Sequence, residues 1–253
     1  MIVDAHAHSG DFLGRDWNAR KLVAIMDRYG IDRACISSES ALINGDEDGN
    51  RKVYREFVVP YPTRFTGMCV AIPRRSALDE VKRCADWGFR GIKLHPWLHQ
   101  CPVDSSYYHP VLQWANRQHR AVLVHTGGTL SVPDLRFAPL AMLGHVAETY
   151  PDLWLVVGHM GLDRWEEAPE RLAKYPNVIL DLTMSMPHPG RISRALDYVG
   201  SERIVFGTDM PLLDPAVGLG LIRASAVAQE GKRKILGENI MRLTRDTEAS
   251  NRE

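Results

Sequence analysis

The sequence has few cysteines and no long apolar run. Its four cysteines, Cys35, Cys69, Cys84 and Cys101, form no C-x-x-C pair, so we expect reduced thiols rather than a disulfide framework. No stretch approaches the roughly 18 apolar residues of a membrane span, and no charged leader precedes an apolar segment. The sequence therefore predicts a cytoplasmic protein with no membrane partner.

The sequence also lacks an excess of either charge. Lysine plus arginine and aspartate plus glutamate each number 31, so the formal net charge is zero. Dedicated nucleic-acid binders usually carry a basic excess. We expect no nucleic-acid partner and a small-molecule substrate, with assembly into a homo-oligomer left open.

Eight short apolar runs rich in Val, Ile and Leu indicate strands that are buried on both faces, as in a parallel sheet. The runs are residues 2–8, 34–37, 66–72, 90–95, 121–125, 153–159, 178–182 and 204–208. Segments with helical character lie between them, and no glycine-rich phosphate-binding segment follows the first run. Eight such units in 253 residues fit a (β/α)8 TIM barrel, which typically takes about 250 residues. We predict an α/β fold with one catalytic barrel domain over residues 1–253, of which 246–253 form a frayed tail.

Metal-binding residue types follow the predicted strands. The chain has ten histidines, and those at strand ends are His6, His8, His95, His125 and His159, while Asp209 follows the last strand. Residues i and i+2 of a strand share a face, so His6 and His8 point the same way. The C-terminal strand ends of a barrel meet at its active face. Three imidazoles and one carboxylate leave a divalent metal an open position for a water, whose pKa falls to about 7. Asp209 or His159 would take the proton from that water and deliver it to the leaving group.

Seven segments resemble the amidohydrolase-related family, the branch of the amidohydrolase superfamily that includes aminocarboxymuconate-semialdehyde decarboxylase. They are residues 4–8, 91–96, 124–127, 158–161, 177–181, 206–211 and 237–243. The resemblance implies a distorted TIM barrel with one divalent metal, usually zinc. By motif position it implies that His6, His8, His125 and Asp209 are the ligands. It also implies that His159 orients or activates the water on the metal.

Lys93 and His95 leave two interpretations open. They share a strand face, so if one side chain points into the barrel, both do. In some relatives within the superfamily, a lysine on this strand becomes a carbamate that bridges two metals. We favour one metal, with His95, and with less support Lys93, in contact with the substrate or water.

Three functions are compatible with these residues. The first is metal-dependent hydrolysis, in which metal-bound water or hydroxide attacks an amide, ester or lactone of a small molecule. The second is metal-dependent, non-oxidative decarboxylation or hydration of an unsaturated or aromatic carboxylic acid. We associate decarboxylases with long insertions, and the chain is barely longer than a bare barrel, which favours the hydrolase. The third is a TatD-type deoxyribonuclease, which carries a mid-barrel glutamate where this sequence has Lys93 and His95.

Overall fold

A curled sheet of nine strands forms the centre of the computed structural model, which describes residues 1–12, 14–128, 136–183 and 188–245. The strands are β1 (Val3–Phe12), β2 (Arg15–Trp17), β3 (Arg33–Ser38), β4 (Phe65–Val70), β5 (Gly91–Leu94), β6 (Ala121–Val124), β7 (Trp154–Val157), β8 (Val178–Asp181) and β9 (Ile204–Val205). Apart from the antiparallel hairpin of β1 and β2, all neighbouring strands are parallel and follow chain order.

Helices connect the parallel strands and cover the outside of the sheet. They are α1 (Ala19–Tyr29), α2 (Glu39–Asn44), α3 (Gly49–Val53), α4 (Ala77–Asp86), α5 (His109–Arg117), α6 (Leu140–Thr149), α7 (Ala168–Leu172), α8 (Gly190–Val199), α9 (Pro215–Ala224), α10 (Gln229–Arg233) and α11 (Asn239–Leu243). Helix α1 shows how the sequence sets the boundaries. Asn18 accepts a hydrogen bond from the Lys21 N–H at its start, and Gly30 ends it in the left-handed conformation.

The sheet closes into a barrel through the segment that follows β9. The Ala5 N–H donates to the Phe206 carbonyl at 2.9 Å, and the His8 N–H donates to the Met210 carbonyl at 2.8 Å. A parallel bridge between Ala7 and Met210 lies in the same seam. The predicted distorted (β/α)8 barrel is therefore confirmed, with its distortion at the two-residue strand β9.

A β-bulge in β1 orients the two histidines. The pairing of β1 with β3 shifts register between Asp4 and Ala7, so one residue is left over. Val3 and Ala5 belong to the cluster that fills the barrel interior, together with residues such as Leu123. Because of the extra residue, odd-numbered residues such as Val3 and Ala5 and even-numbered residues such as His6 and His8 can all face inward. His6 and His8 lie above this cluster, at the C-terminal end of the barrel.

Strands β4 to β9 are shorter than the predicted apolar runs, whereas β1 and β3 are longer. Strand β1 continues to Phe12, so His6 and His8 lie within it rather than at its end. Strands β5 and β6 end at Leu94 and Val124, so His95 and His125 begin the loops rather than ending the strands. The prediction of a single domain stays a prediction, and the predicted tail at 246–253 lies outside the described residues. Within the described ranges, none of the helices combines the length and the apolar character that crossing a membrane requires.

Candidate metal centre

Three of the four predicted ligands converge at the C-terminal end of the barrel. The ligand atoms of His6, His8 and Asp209 all lie within 4.8 Å of one another. Asp209 Oδ1 is 2.9 Å from His8 Nε2 and 3.5 Å from His6 Nε2. All three residues are buried. Two imidazole nitrogens and one carboxylate oxygen therefore face a common point, with donor types that suit zinc and similar divalent metals.

A carboxylate lies behind each of the two histidines. His6 Nδ1 is 2.8 Å from Asp181 Oδ2 at the end of β8, and His8 Nδ1 is 3.3 Å from Glu39 Oε2 at the start of α2. The Ser37 hydroxyl lies 3.1 Å from the same His8 nitrogen. A proton on Nδ1, assigned from these contacts, leaves the Nε2 lone pair for a metal. Both histidines are thus oriented as ligands from the side opposite the cluster.

The pKa values of His6 and its partner agree with this assignment. Burial and the nearby Lys93 lower the pKa of His6 to about 3, so the imidazole is neutral at pH 7. Burial alone would raise the pKa of Asp181, but the hydrogen bond from His6 and that from Thr183 lower it to about 2. A neutral imidazole against an ionised carboxylate is the state that metal binding requires.

Asp209 is held beside His6 by the closing seam of the barrel. Its backbone is left-handed, with φ of 63°, and its N–H donates to the His6 carbonyl at 2.7 Å. The Asp4 carboxylate accepts from the Thr208 hydroxyl at 2.5 Å and from the His6 N–H at 2.9 Å. Burial would raise the pKa of Asp209, but the close contact with the His8 ring lowers it well below its usual value. The carboxylate is therefore ionised and fixed.

The Lys93 side chain reaches the cluster from strand β5. Its side chain is fully buried, and Nζ lies 2.5 Å from His6 Nε2, the nitrogen that faces Asp209. Burial lowers the pKa of Lys93 to about 8, although the charges of Asp209, Asp181 and Glu39 act in the opposite direction. The structure thus places Lys93 in contact with a candidate ligand.

Three more histidines form a row next to the cluster. His159 Nε2 is 3.1 Å from His125 Nδ1, and His125 Nε2 is 3.1 Å from the Gly128 carbonyl. The His95 ring stacks on the His125 ring with centroids 3.7 Å apart. Burial lowers the pKa of all three imidazoles. The structure therefore brings His125 beside the cluster but directs both its ring nitrogens to other partners.

A strained backbone presents His159 to the cluster. Residues 159–162 have φ values of 56, 52, 82 and 51°, a left-handed run that L-residues rarely adopt. Arg191, buried at the start of α8, donates from Nη2 to the His159 carbonyl. Asp181 Oδ2 accepts from the His159 N–H at 3.3 Å. The carboxylate behind His6 therefore also positions His159, whose ring centroid is 5.1 Å from that of His6.

The charges around the cluster suit a divalent cation. Among the described residues near it, four buried carboxylates face two buried cations, and these are Asp4, Asp181, Asp209 and Glu39 against Lys93 and Arg191. Burial raises the pKa of Asp4 to about 7 and also raises that of Glu39. His159 Nδ1 is buried with no partner among the described residues. A divalent cation would offset this excess of carboxylate groups, and buried charges are stable when they are paired in this way.

The family comparison agrees with the geometry. A family model described as amidohydrolase matches residues 3–245. The chain belongs to the amidohydrolase family. The resemblance seen in the sequence motifs is confirmed, and this amidohydrolase is a metal-dependent enzyme. A search of curated proteins found no match.

Solved structures share the fold of this amidohydrolase. An uncharacterised TIM-barrel protein from Bordetella bronchiseptica aligns with a TM-score of 0.79 at 20% identity, over 96% of this chain and 97% of that one. A dihydroxybenzoic acid decarboxylase from Polaromonas, with bound manganese and 2-nitroresorcinol, has a TM-score of 0.76 at 16% identity over 100% and 98%. A 4-oxalomesaconate hydratase from Rhodopseudomonas palustris has a TM-score of 0.70 at 16% identity over 99% and 98%.

Sequence reasoning missed three residues of the site. Asp181 lies next to the end of the predicted run 178–182, close to where several of the candidate residues lie in theirs, so its position was a usable signal. Glu39 and Arg191 gave no signal, because each lies in the first turn of a helix, where a charged residue usually faces solvent. Both are instead buried against the cluster.

Proposed function

We propose that this amidohydrolase is a metal-dependent hydrolase that cleaves an amide, ester or lactone of a small molecule. The observation that carries the proposal is the convergence of His6, His8 and Asp209, with the two histidines held from behind by carboxylates. Hydrolysis needs a polarised carbonyl, an activated water and a proton carrier, all within one buried site.

His6, His8 and Asp209 would hold the metal, and His125 is our proposed fourth ligand. Zinc is the proposed ion, because two to three imidazoles with one carboxylate suit it well. The metal supplies Lewis-acid polarisation and lowers the pKa of water. Within the chain, Glu39 and Asp181 would fix the rings of His8 and His6 so that their Nε2 atoms keep facing the cluster.

Asp209 and His159 are the proposed proton carriers. Asp209 has an ionised carboxylate, whose Oδ2 would take the proton from the attacking water while Oδ1 faces the histidines. His159 is neutral because burial lowers its pKa, so its ring can accept a proton and pass it to the leaving group. Lys93 and His95 are proposed contacts of the substrate or of water.

Decarboxylation or hydration of a carboxylic acid is the second candidate, because Lys93 places a buried amine at the cluster. A protonated Lys93 would attract a substrate carboxylate in this low-dielectric site. The similar structures include a decarboxylase and a hydratase. The alignment also covers 98% of that decarboxylase chain, so chain length does not favour hydrolysis over decarboxylation.

Metal content tests the site. Protein purified without chelators should hold about one equivalent of metal, and His6→Ala or Asp209→Asn should reduce this to near zero. His119→Ala is the control, because His119 is exposed and precedes β6 at the opposite end of the barrel. Two equivalents that are both lost in Lys93→Ala would contradict the one-metal site, and absence of metal would contradict the proposal.

Activity assays separate the two candidate functions. The metal-loaded protein is incubated with a panel of lactones, esters and amides and, separately, with carboxylated phenols and unsaturated diacids. Hydrolysis is followed by acid release, and decarboxylation by released CO2. We expect turnover in the first panel that Asp209→Asn abolishes. Turnover in the second panel alone would replace the hydrolase proposal with decarboxylation or hydration.

A further inference from the structure

A cleft lies at the end of the barrel opposite the candidate metal centre. It has a volume of about 600 Å³ and is formed by the C-terminal parts of α4 and α5 with the loops that lead into β5 and β6. Strand N-termini line this end of the barrel, whereas His6, His8 and Asp209 lie beyond the C-terminal ends. A ligand in this cleft would therefore not touch the candidate metal centre.

Cations dominate the lining of this cleft although the whole chain is neutral. Lys82 of α4, Arg90 before β5 and Arg120 before β6 come from three separate segments, and Asp86 is the one carboxylate among the described lining residues. Arg120 is buried, so its guanidinium is held in place rather than extended into solvent. Three cations and one anion give the cleft a positive potential that attracts anions.

The helix ends next to the cleft are closed by backbone hydrogen bonds. Both helices close with backbone hydrogen bonds: the N–H groups of residues 87–89 and 118–120 donate to carbonyls of the last turns of α4 and α5 at 2.9 to 3.1 Å. Gly88 and His119 make these turns with φ values of 91 and 49°. Three carbonyls at each of these helix ends therefore accept a backbone hydrogen bond.

An aromatic side chain and an adjoining cleft extend the site. Trp114 of α5 lines the first cleft, is half-buried and packs on the hydrophobic core, so its ring is held rigidly. The adjoining cleft, of about 340 Å³, shares Gly88 and Arg90 with the first and adds Arg33 and Arg245. The two clefts thus bring the Trp114 side chain and five cations to the same end of the barrel.

We propose that this pair of clefts binds a nucleoside phosphate. The base would stack on Trp114, because aromatic side chains recognise any base through its flat face. The first phosphate would lie between Lys82, Arg90 and Arg120. A second phosphate would extend past Arg90 towards Arg33 and Arg245. Asp86 and the amide of Gln118 line the same cleft and offer partners for ribose hydroxyls or base amino groups.

Calorimetric titration of the metal-loaded protein with adenosine, AMP and ADP tests this proposal. We expect no measurable binding of adenosine, binding of AMP, and at least three-fold tighter binding of ADP. The double variant Lys82→Gln/Arg90→Gln should weaken AMP at least ten-fold, and Arg245→Gln should remove the advantage of ADP over AMP. Trp114→Phe should weaken AMP less than Trp114→Ala does.

Two controls locate the ligand. Arg20→Gln removes an exposed cation on α1 and should leave the AMP affinity unchanged. Asp209→Asn, which removes a candidate metal ligand, should also leave it unchanged, whereas a loss would place AMP at the metal centre and overturn the proposal. Unchanged affinity in Lys82→Gln/Arg90→Gln, or pyrophosphate binding as tightly as ADP, would overturn it too. Melting temperatures of all variants show whether each is folded.

Discussion

At the scale of single residues, the site depends on contacts behind the candidate ligands. Asp181 receives hydrogen bonds from the His6 ring and the His159 backbone, so one carboxylate positions a candidate ligand and a proposed proton carrier together. Glu39 has the matching role for His8 alone, at a longer distance. Removing either carboxylate changes ring orientation without removing a ligand atom.

Substitution of these carboxylates should weaken metal binding. We expect Asp181→Asn to raise the dissociation constant for zinc about 10- to 100-fold and Glu39→Gln to raise it towards the lower end of that range. Competition with a chromophoric chelator measures both. Glu80→Gln is the matched control, because Glu80 is also a buried carboxylate but belongs to α4 and bonds to Asn50. An Asp181→Asn variant with unchanged affinity would contradict the orienting role.

Arg191 should control the position of His159 rather than metal binding. Arg191→Met removes the donor to the His159 carbonyl and should cost about 2–3 kcal/mol of unfolding free energy. Metal content should stay at about one equivalent, because the candidate ligands lie on other elements, while turnover should fall at least ten-fold. Denaturant titration, metal analysis and kinetics check the three effects. Loss of metal in Arg191→Met would show that Arg191 supports the ligands as well.

At the scale of elements, close approach between loops sets the shape of the active face. Gly127, in the loop after β6, has φ of 89°, and a Cβ there would lie 2.2 Å from Leu162 Cδ2 and 3.0 Å from Leu162 Cβ. Leu162 ends the strained run that begins at His159. The loops that carry His125 and His159 therefore touch through a glycine.

A side chain at this contact should be costly. Gly127→Ala combines a left-handed backbone with a steric overlap, so we expect a loss of about 2–4 kcal/mol in unfolding free energy. Gly30→Ala is the matched control: its φ is 70°, but a Cβ there meets nothing within 4 Å, and we expect only about 1 kcal/mol. Chemical denaturation of both variants gives the comparison. Equal losses of unfolding free energy would mean that the Leu162 side chain can move away without reducing stability.

The sequence predicted elements better than contacts. Buried parallel strands give continuous apolar runs in the sequence, so their order could be predicted. The placement of His6 and Asp209 at the C-terminal end of the barrel could be predicted as well. The direction of a ring nitrogen could not, because it depends on partners distant in sequence, such as Asp181 for His6. His125 illustrates this limit: its place after β6 was predicted, but its bonds to His159 and Gly128 were not. The bulge in β1 also escaped prediction, because no glycine or proline marks it.

At the scale of the whole molecule, metal binding should be coupled to folding. The ligand cluster exists only when β1 and the segment after β9 meet, so the metal binds the native state alone. At a free metal concentration about 1,000 times the dissociation constant, binding contributes about 4 kcal/mol, which corresponds to a melting temperature roughly 8–16 °C higher. Thermal unfolding with and without a chelator measures the difference. Equal melting temperatures, with metal removal confirmed by analysis, would contradict this coupling.

The closing seam of the barrel has a consequence for how the molecule opens. Few hydrogen bonds join β1 to residues 206–210, and β9 has only two residues among those the structure describes. His6 and His8 stand on one side of this seam and Asp209 on the other, so a bound ion would act as a cross-link between the two ends of the sheet. Amide exchange at Ala5, His8 and Asp209 should therefore accelerate first when the ion is withdrawn, ahead of the amides between β5 and β7. The ion proposed for catalysis would then also hold the first and last strands of the barrel together. Loss of activity on chelation would begin with local separation of these two strands.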